Sequence, residues 1–265
     1  MTKVKKNKTV WLVLILSCAA VLLSAVGLLS VFAAPKDQAK IQTKQPETAK
    51  QEKQSDTFRL TALGDSLTYG VGDQEGAGYV GIVEKKLQKS GLNPLKINLA
   101  ISGAKSNGLL EQLRKPDVVK RVQDANLIVM TIGGNDLFRG GAALTDFKTE
   151  TANQAETVYL KNLRAIYERI RKLNSKANVY HVGLYHPFAA EADGKEMGQV
   201  VAKWNFDTAK LAGEFERIIF VPTYDLLELD TESYLASDHF HPNHAGYTLI
   251  GNRLAEVLKA GGVLK

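Results

Sequence analysis

From Phe58 onward, short apolar runs rich in β-branched residues alternate with stretches whose apolar positions recur every three or four residues. The runs are FRLTAL (58–63), LKINLAI (95–101), LIVMTI (127–132), NVYHVGLY (178–185) and RIIFVP (217–222). Strands buried on both faces of a parallel sheet have this near-continuous apolar character. Between the runs, Leu160, Leu163, Tyr167, Ile170 and Leu173 mark one amphipathic helix, and Tyr247, Ile250, Leu254 and Val257 mark another. The alternation predicts a three-layer α/β/α sandwich around five parallel strands. Trp204 and Phe206, in a helical stretch, are expected to pack the core. No repeat of fixed period occurs, which argues against solenoids and propellers.

Ahead of this domain (58–265) the pattern changes twice. Lys3, Lys5, Lys6 and Lys8 precede 25 uncharged, mostly apolar residues from Val10 to Ala34, enough helix to cross a hydrocarbon layer about 30 Å thick. Signal peptides have apolar cores of about 7 to 15 residues, so residues 1–34 read as an uncleaved anchor, with a cleaved signal peptide and a secreted domain as the alternative. Cys18 follows Ile15–Leu16–Ser17 but lies inside the run, and reads as a membrane-embedded cysteine. The lysines hold the N-terminus in the cytoplasm, which places the rest outside the cell. Residues 35–57 contain one aliphatic side chain, Ile41, among Lys, Gln and acids, and read as a flexible tether.

Charge narrows the choice of partner. The net charge of +6 is concentrated in this N-terminal region: four lysines before Ala34, then five lysines against four acids through Thr57. The domain proper keeps only +1, too little for a phosphate-backbone footprint, and nucleic-acid binding is set aside. The single cysteine leaves no intrachain disulfide.

In an open parallel sheet, functional groups gather where loops leave the carboxyl ends of the strands. After the first run, GDSLTYGVG places Ser66 at a strand-to-helix turn, as a candidate nucleophile or simply a helix N-cap. After the second, NLAISGAKS holds Gly103, whose missing Cβ lets its N–H approach a ligand, although a plain turn would use it equally. After the third, TIGGNDL presents Asn135, a possible oxyanion donor or an Asx turn. Late in the chain, SDHFHPNHAGY puts Asp238 ahead of His239, His241 and His244, three of the five histidines.

These four blocks in this order resemble the SGNH or GDSL-type hydrolase family, over about 60–251. The resemblance implies a flavodoxin-like sheet and a serine ester hydrolase without metal or organic cofactor. In it Ser66 is the nucleophile, Asp238 and His241 form the acid-base pair, and the Ser66 N–H, Gly103 and Asn135 hold the oxyanion. A three-residue offset across a turn also lets Asp238 reach Nδ1 of His241 while Nε2 faces the serine. His241 precedes Pro242, a favoured first helical residue, so its imidazolium would meet an unfavourable dipole that Asp238 offsets.

Other readings stay open beside this one. Asp238, His239, His241 and His244 together could form a metal site, without HExxH-type order. GVGDQEGAG lacks nucleotide-loop spacing and reads as a mobile loop bordering the site, and Asp65 is expected to order the serine turn. Tyr185, His186, Pro187 and Phe188 could wall an acyl pocket or merely form a turn. The function expected is a membrane-tethered extracellular ester hydrolase, monomeric, acting on a small-molecule, lipid or acetylated-glycan ester. An acyltransferase or O-deacetylase acting on a wall polymer, or a binding module without chemistry, are the alternatives.

Overall fold

The computed structural model describes residues 57–139, 147–189 and 191–265. The expected anchor (1–34), and all but the last residue of the expected tether (35–57), lie outside them. No helix among the described residues is long and apolar enough to cross a membrane.

Five parallel strands form one sheet: β1 (Arg59–Gly64), β2 (Leu95–Asn98), β3 (Leu127–Thr131), β4 (Asn178–Val182) and β5 (Ile218–Val221). Their spatial order is β2-β1-β3-β4-β5. Chain direction across the sheet therefore reverses between β1 and β3, the switch point where crevices open in such folds. Along β3, Leu127 and Val129 face one apolar cluster while Ile128 and Met130 face the other. The period of two in side-chain direction thus feeds two cores from one continuous apolar run.

Helices cover both faces. After the short α1 (Ser66–Tyr69) comes α2 (Gly78–Lys89), followed by α3 (Ser106–Gln112), α4 (Pro116–Gln123), α5 (Gly134–Phe138) and α6 (Thr149–Leu173). The chain then forms α7 (Gly194–Ala212), α8 (Tyr224–Leu227), one 3₁₀ turn (Glu232–Tyr234) and α9 (His244–Ala260). Helices α2 and α9 pack together on the face that takes Leu127 and Val129, while α3, α4, α6 and α7 cover the other.

Three expectations change. Strand β2 lies at the sheet edge with Leu95, Lys96 and Asn98 exposed, so its run is not doubly buried: an edge strand lacks a neighbour on one side. The fourth run stops pairing as a strand at Val182 because the side chain of Asn205 in α7 takes over, accepting from Leu184 N and donating to Leu184 O. Trp204 is buried as expected, but Phe206, two positions along α7, is 67% exposed. Two residues turn a helix by about 200°, so both cannot face the sheet.

One buried base links the fold to pH. His181 in β4 is 1% exposed, its Nδ1 2.6 Å from the Tyr167 hydroxyl, and burial lowers its pKa to about 4. The folded state keeps this ring neutral while the unfolded chain protonates near 6.5, so folding stability falls as pH drops from about 6.5 to 4. The expected slope is up to about 1.4 kcal/mol per pH unit in that window. Urea unfolding of wild type and His181→Leu at several pH values checks this, and the variant should show the flatter profile whatever its absolute stability.

Candidate active site

Ser66 begins α1 directly after β1. Gly64, at φ +124°, runs so close to β3 that a Cβ would lie 1.8 Å from the Thr131 carbonyl oxygen, which is why glycine opens the motif. Asp65 is 1% exposed and caps α1, accepting from Leu67 N at 3.1 Å. Its Oδ1 also accepts from the Thr131 hydroxyl at 2.6 Å, and Thr131 in turn contacts Thr68 at 2.7 Å, which contacts the Tyr79 hydroxyl at 2.6 Å. Burial pushes the Asp65 carboxyl up, against the opposing pull of Thr131 and Leu67. The expectation that Asp65 orders the serine turn agrees with this geometry.

The late histidine reaches this turn across 175 positions of sequence: His241 Nε2 lies 2.8 Å from Ser66 Oγ. Its Nδ1 lies 2.6 Å from Asp238 Oδ2, while Asp238 Oδ1 accepts from the backbone N–H of Phe240 and of His241. Burial pushes the Asp238 carboxyl up, but these hydrogen bonds and the His241 charge together hold it below the usual carboxylate range. Pro242 is not the first residue of a helix. It bridges Leu235 in an antiparallel pair, and α9 starts at His244 with Asn243 as its cap. The dipole argument for His241 loses its basis, and Asp238 is the charged partner that remains.

Asn135 lies in the first turn of α5 and lines the same small cavity as Ser66. Its amide donates to Ala104 O at 3.1 Å, which leaves a second N–H on that nitrogen. Asp136 accepts from both the backbone N–H and the hydroxyl of Ser106, at 2.9 and 2.5 Å, and so caps α3 from across the crevice. Burial raises the Asp136 carboxyl. Together Asn135 and Asp136 fasten the Gly103 turn to the GGND turn. Gly103 itself is exposed, at φ +78°, and is not among the residues that line the cavity.

The other candidates divide. Tyr185 and Pro187 line the cavity with Ser66. Phe188 stands behind it, stacked on Phe240. His186 does not line it: its Nε2 pairs with Gly194 O at 2.8 Å and its ring stacks on Tyr224, so the expected pocket role gives way to packing. His239 is exposed at φ +52°. His244 turns to the glycine-rich loop, 3.0 Å from Asp73 and 3.4 Å from Glu75. His186, His241 and His244 thus have separate partners, and among the described residues no group of three or more His, Cys, Asp or Glu could hold a metal ion.

That loop is tied down rather than loose. Asp73 accepts from the backbone N–H of Glu75, Ala77 and Gly78 and contacts His244. Gly72, at φ +91°, passes so close that a Cβ would sit 2.9 Å from the His241 Cβ. Asp73, Asp136 and Phe240 are the residues that motif reading missed. For Asp136 the signal was available, as the acid that closes GGND.

With the site described, comparison with known proteins gives the class. The GDSL-like Lipase/Acylhydrolase family model matches residues 62–249, and the chain belongs to this family. It is 34% identical over 225 residues to the uncharacterized protein YpmR of Bacillus subtilis (strain 168), covering 83% of this chain and 88% of that one. It is 28% identical over 218 residues to the spore germination lipase LipC of Bacillus licheniformis, covering 78% and 97%. In structure it resembles the lipase Lip_vut3 from a goat rumen metagenome, with a TM-score of 0.68 and 27% identity over 76% of this chain and 97% of that one. These findings support a GDSL-type ester hydrolase.

Asp73 offers a test of how the His241 loop is braced. Burial raises its carboxyl, but the N–H groups of Gly78 and Glu75 and the contact with His244 bring it below the usual 3.8. A depressed folded-state pKa adds stability above 3.8 that is lost as pH falls through the folded value. Asp73→Asn, which turns an acceptor into a donor facing backbone N–H groups, should cost about 1–3 kcal/mol at pH 7. Thermal unfolding of both proteins should show this gap narrowing below about pH 4.

Proposed function

We propose that this chain hydrolyses carboxylic esters through an acyl-enzyme formed on Ser66. The observation that carries the reading is the unbroken relay from Ser66 Oγ to His241 Nε2 at 2.8 Å and from His241 Nδ1 to Asp238 at 2.6 Å. In this reading His241 takes the hydroxyl proton as Ser66 Oγ bonds to the ester carbonyl carbon. Asp238 orients the ring and stabilises the imidazolium. The Ser66 N–H, the Gly103 N–H and the Asn135 amide hold the oxyanion. The tetrahedral adduct collapses as His241 passes its proton to the departing alkoxide. Water then attacks the acyl-enzyme with His241 as base, releasing the acid and restoring the serine.

The N-terminal lysines and the 25-residue apolar run support a domain tethered to the outer face of the cell membrane. Membrane fractionation checks this: activity should sediment with membranes in the full chain and move to the soluble fraction when 1–34 is deleted. Sedimentation of the truncated chain would count against the tether.

Catalysis is tested with purified protein and nitrophenyl esters. Ser66→Ala should lower kcat by at least about 10³-fold, and Asn135→Ala by about 10²- to 10³-fold with the fold intact by circular dichroism. A short-alkyl fluorophosphonate should add one phosphonyl mass to wild type and none to Ser66→Ala. Normal turnover in Ser66→Ala would reject the mechanism.

A further inference from the structure

The cavity beside Ser66 is small and mostly apolar, lined by Leu67, Phe138, Leu184, Tyr185, Pro187 and Phe240 together with the polar groups of the site. Room for the centre of a water-sized group amounts to ≈ 20 Å³. About 10–15 Å³ on this measure holds one water, so the space accepts roughly one methyl-sized group. A groove with ≈ 300 Å³ of the same kind of room lies next to it, sharing Pro187 and lined by Phe188, Leu235 and His239 among others.

Three phenylalanine rings stand where the two spaces meet. Phe138 meets Phe188 edge-on with centroids 5.0 Å apart and meets Phe240 edge-on at 5.9 Å. Phe188 and Phe240 stack at 5.7 Å with 20° between their planes. Phe138 and Phe188 are each 3% exposed, so neither ring can swing aside without displacing core. Phe240 is held from its backbone: the Tyr185 hydroxyl donates to its carbonyl, and its N–H donates to Asp238. Its half-buried ring packs against the two buried ones, so the wall has two fixed rings and a third whose backbone is held.

We propose that Phe138, Phe188 and Phe240 form an acyl-length stop, and that the ester taken by this site carries an acetyl group on an alcohol lying outside the cavity. This rests on the hydrolase reading above. An acetyl methyl fills the space against Leu67, Leu184 and the rings. Butyryl or longer chains meet the ring wall before the carbonyl reaches Ser66, and the room they need lies on its far side. One methylene in an apolar pocket changes kcat/KM by about 10- to 200-fold, so two misplaced methylenes are enough to exclude a substrate.

The test uses the full chain with nitrophenyl acetate, butyrate and octanoate, and a short-alkyl fluorophosphonate read by intact mass in parallel. Wild type should favour acetate over butyrate by at least about 10-fold in kcat/KM, with octanoate at the Ser66→Ala blank. Phe240→Ala joins the cavity to the groove and should raise the butyrate-to-acetate ratio by at least about 10-fold. Phe188→Ala, one ring further from His241, should move the ratio the same way, and Phe240→Leu supplies a milder change if the alanine variants do not fold. Wild type turning over octanoate as well as acetate overturns the proposal, as does an unchanged ratio in variants that still take the label. If wild type takes no label, the hydrolase reading fails first and the acyl stop falls with it.

Discussion

The buried carboxylate of Asp65 is the constraint around which the site is built. An ionisable group 1% exposed is costly unless its lone pairs are used, and two of its partners are Leu67 N–H in its own turn and the Thr131 hydroxyl at the end of the neighbouring strand. The first fixes the turn that carries Ser66. The second fixes that turn to β3, whose exit carries Asn135. Because order in the sheet reverses between β1 and β3, this one carboxylate joins the two edges of the crevice. The Thr131–Thr68–Tyr79 hydroxyl chain extends the same network into α2, so its geometry is set by packing.

The imidazole depends on a different kind of support. His241 sits on a loop with only a short antiparallel bridge beside it, and side chains satisfy backbone groups that this bridge leaves over. The Asn243 amide donates to the carbonyls of Ser233 and Leu235, Ala236 N–H donates to His241 O, and Tyr185 donates to Phe240 O. Asp73 and Gly72 close the loop from the opposite side. The rings packed near His241 also shape the cavity, so the positioning of this imidazole and the size of the space beside Ser66 are one packing problem.

Much of this was legible along the chain. The five apolar runs became the five strands, and Leu163, Tyr167, Ile170, Tyr247, Ile250 and Leu254 became the buried stripes of α6 and α9, because periodicity reports burial directly. Ser66, Asn135, Asp238 and His241 could be singled out because turn residues and chemistry coincide in short motifs. Phe206 and the edge character of β2 were not legible. Both are apolar or half-apolar positions left exposed, and composition alone does not say which face lacks a neighbour.

Local spacing determined the α/β class, the strand-end location of the candidate groups and the Asp238–His241 offset, since each depends on residues a few positions apart. Only the tertiary structure decided that Ser66 and His241 meet across 175 residues, that His186 faces Gly194 rather than the cavity, and that three phenylalanines from separate segments converge. Those are distances between elements, set by how the layers pack and how loops are tied, and no short window of sequence contains both ends of such a contact.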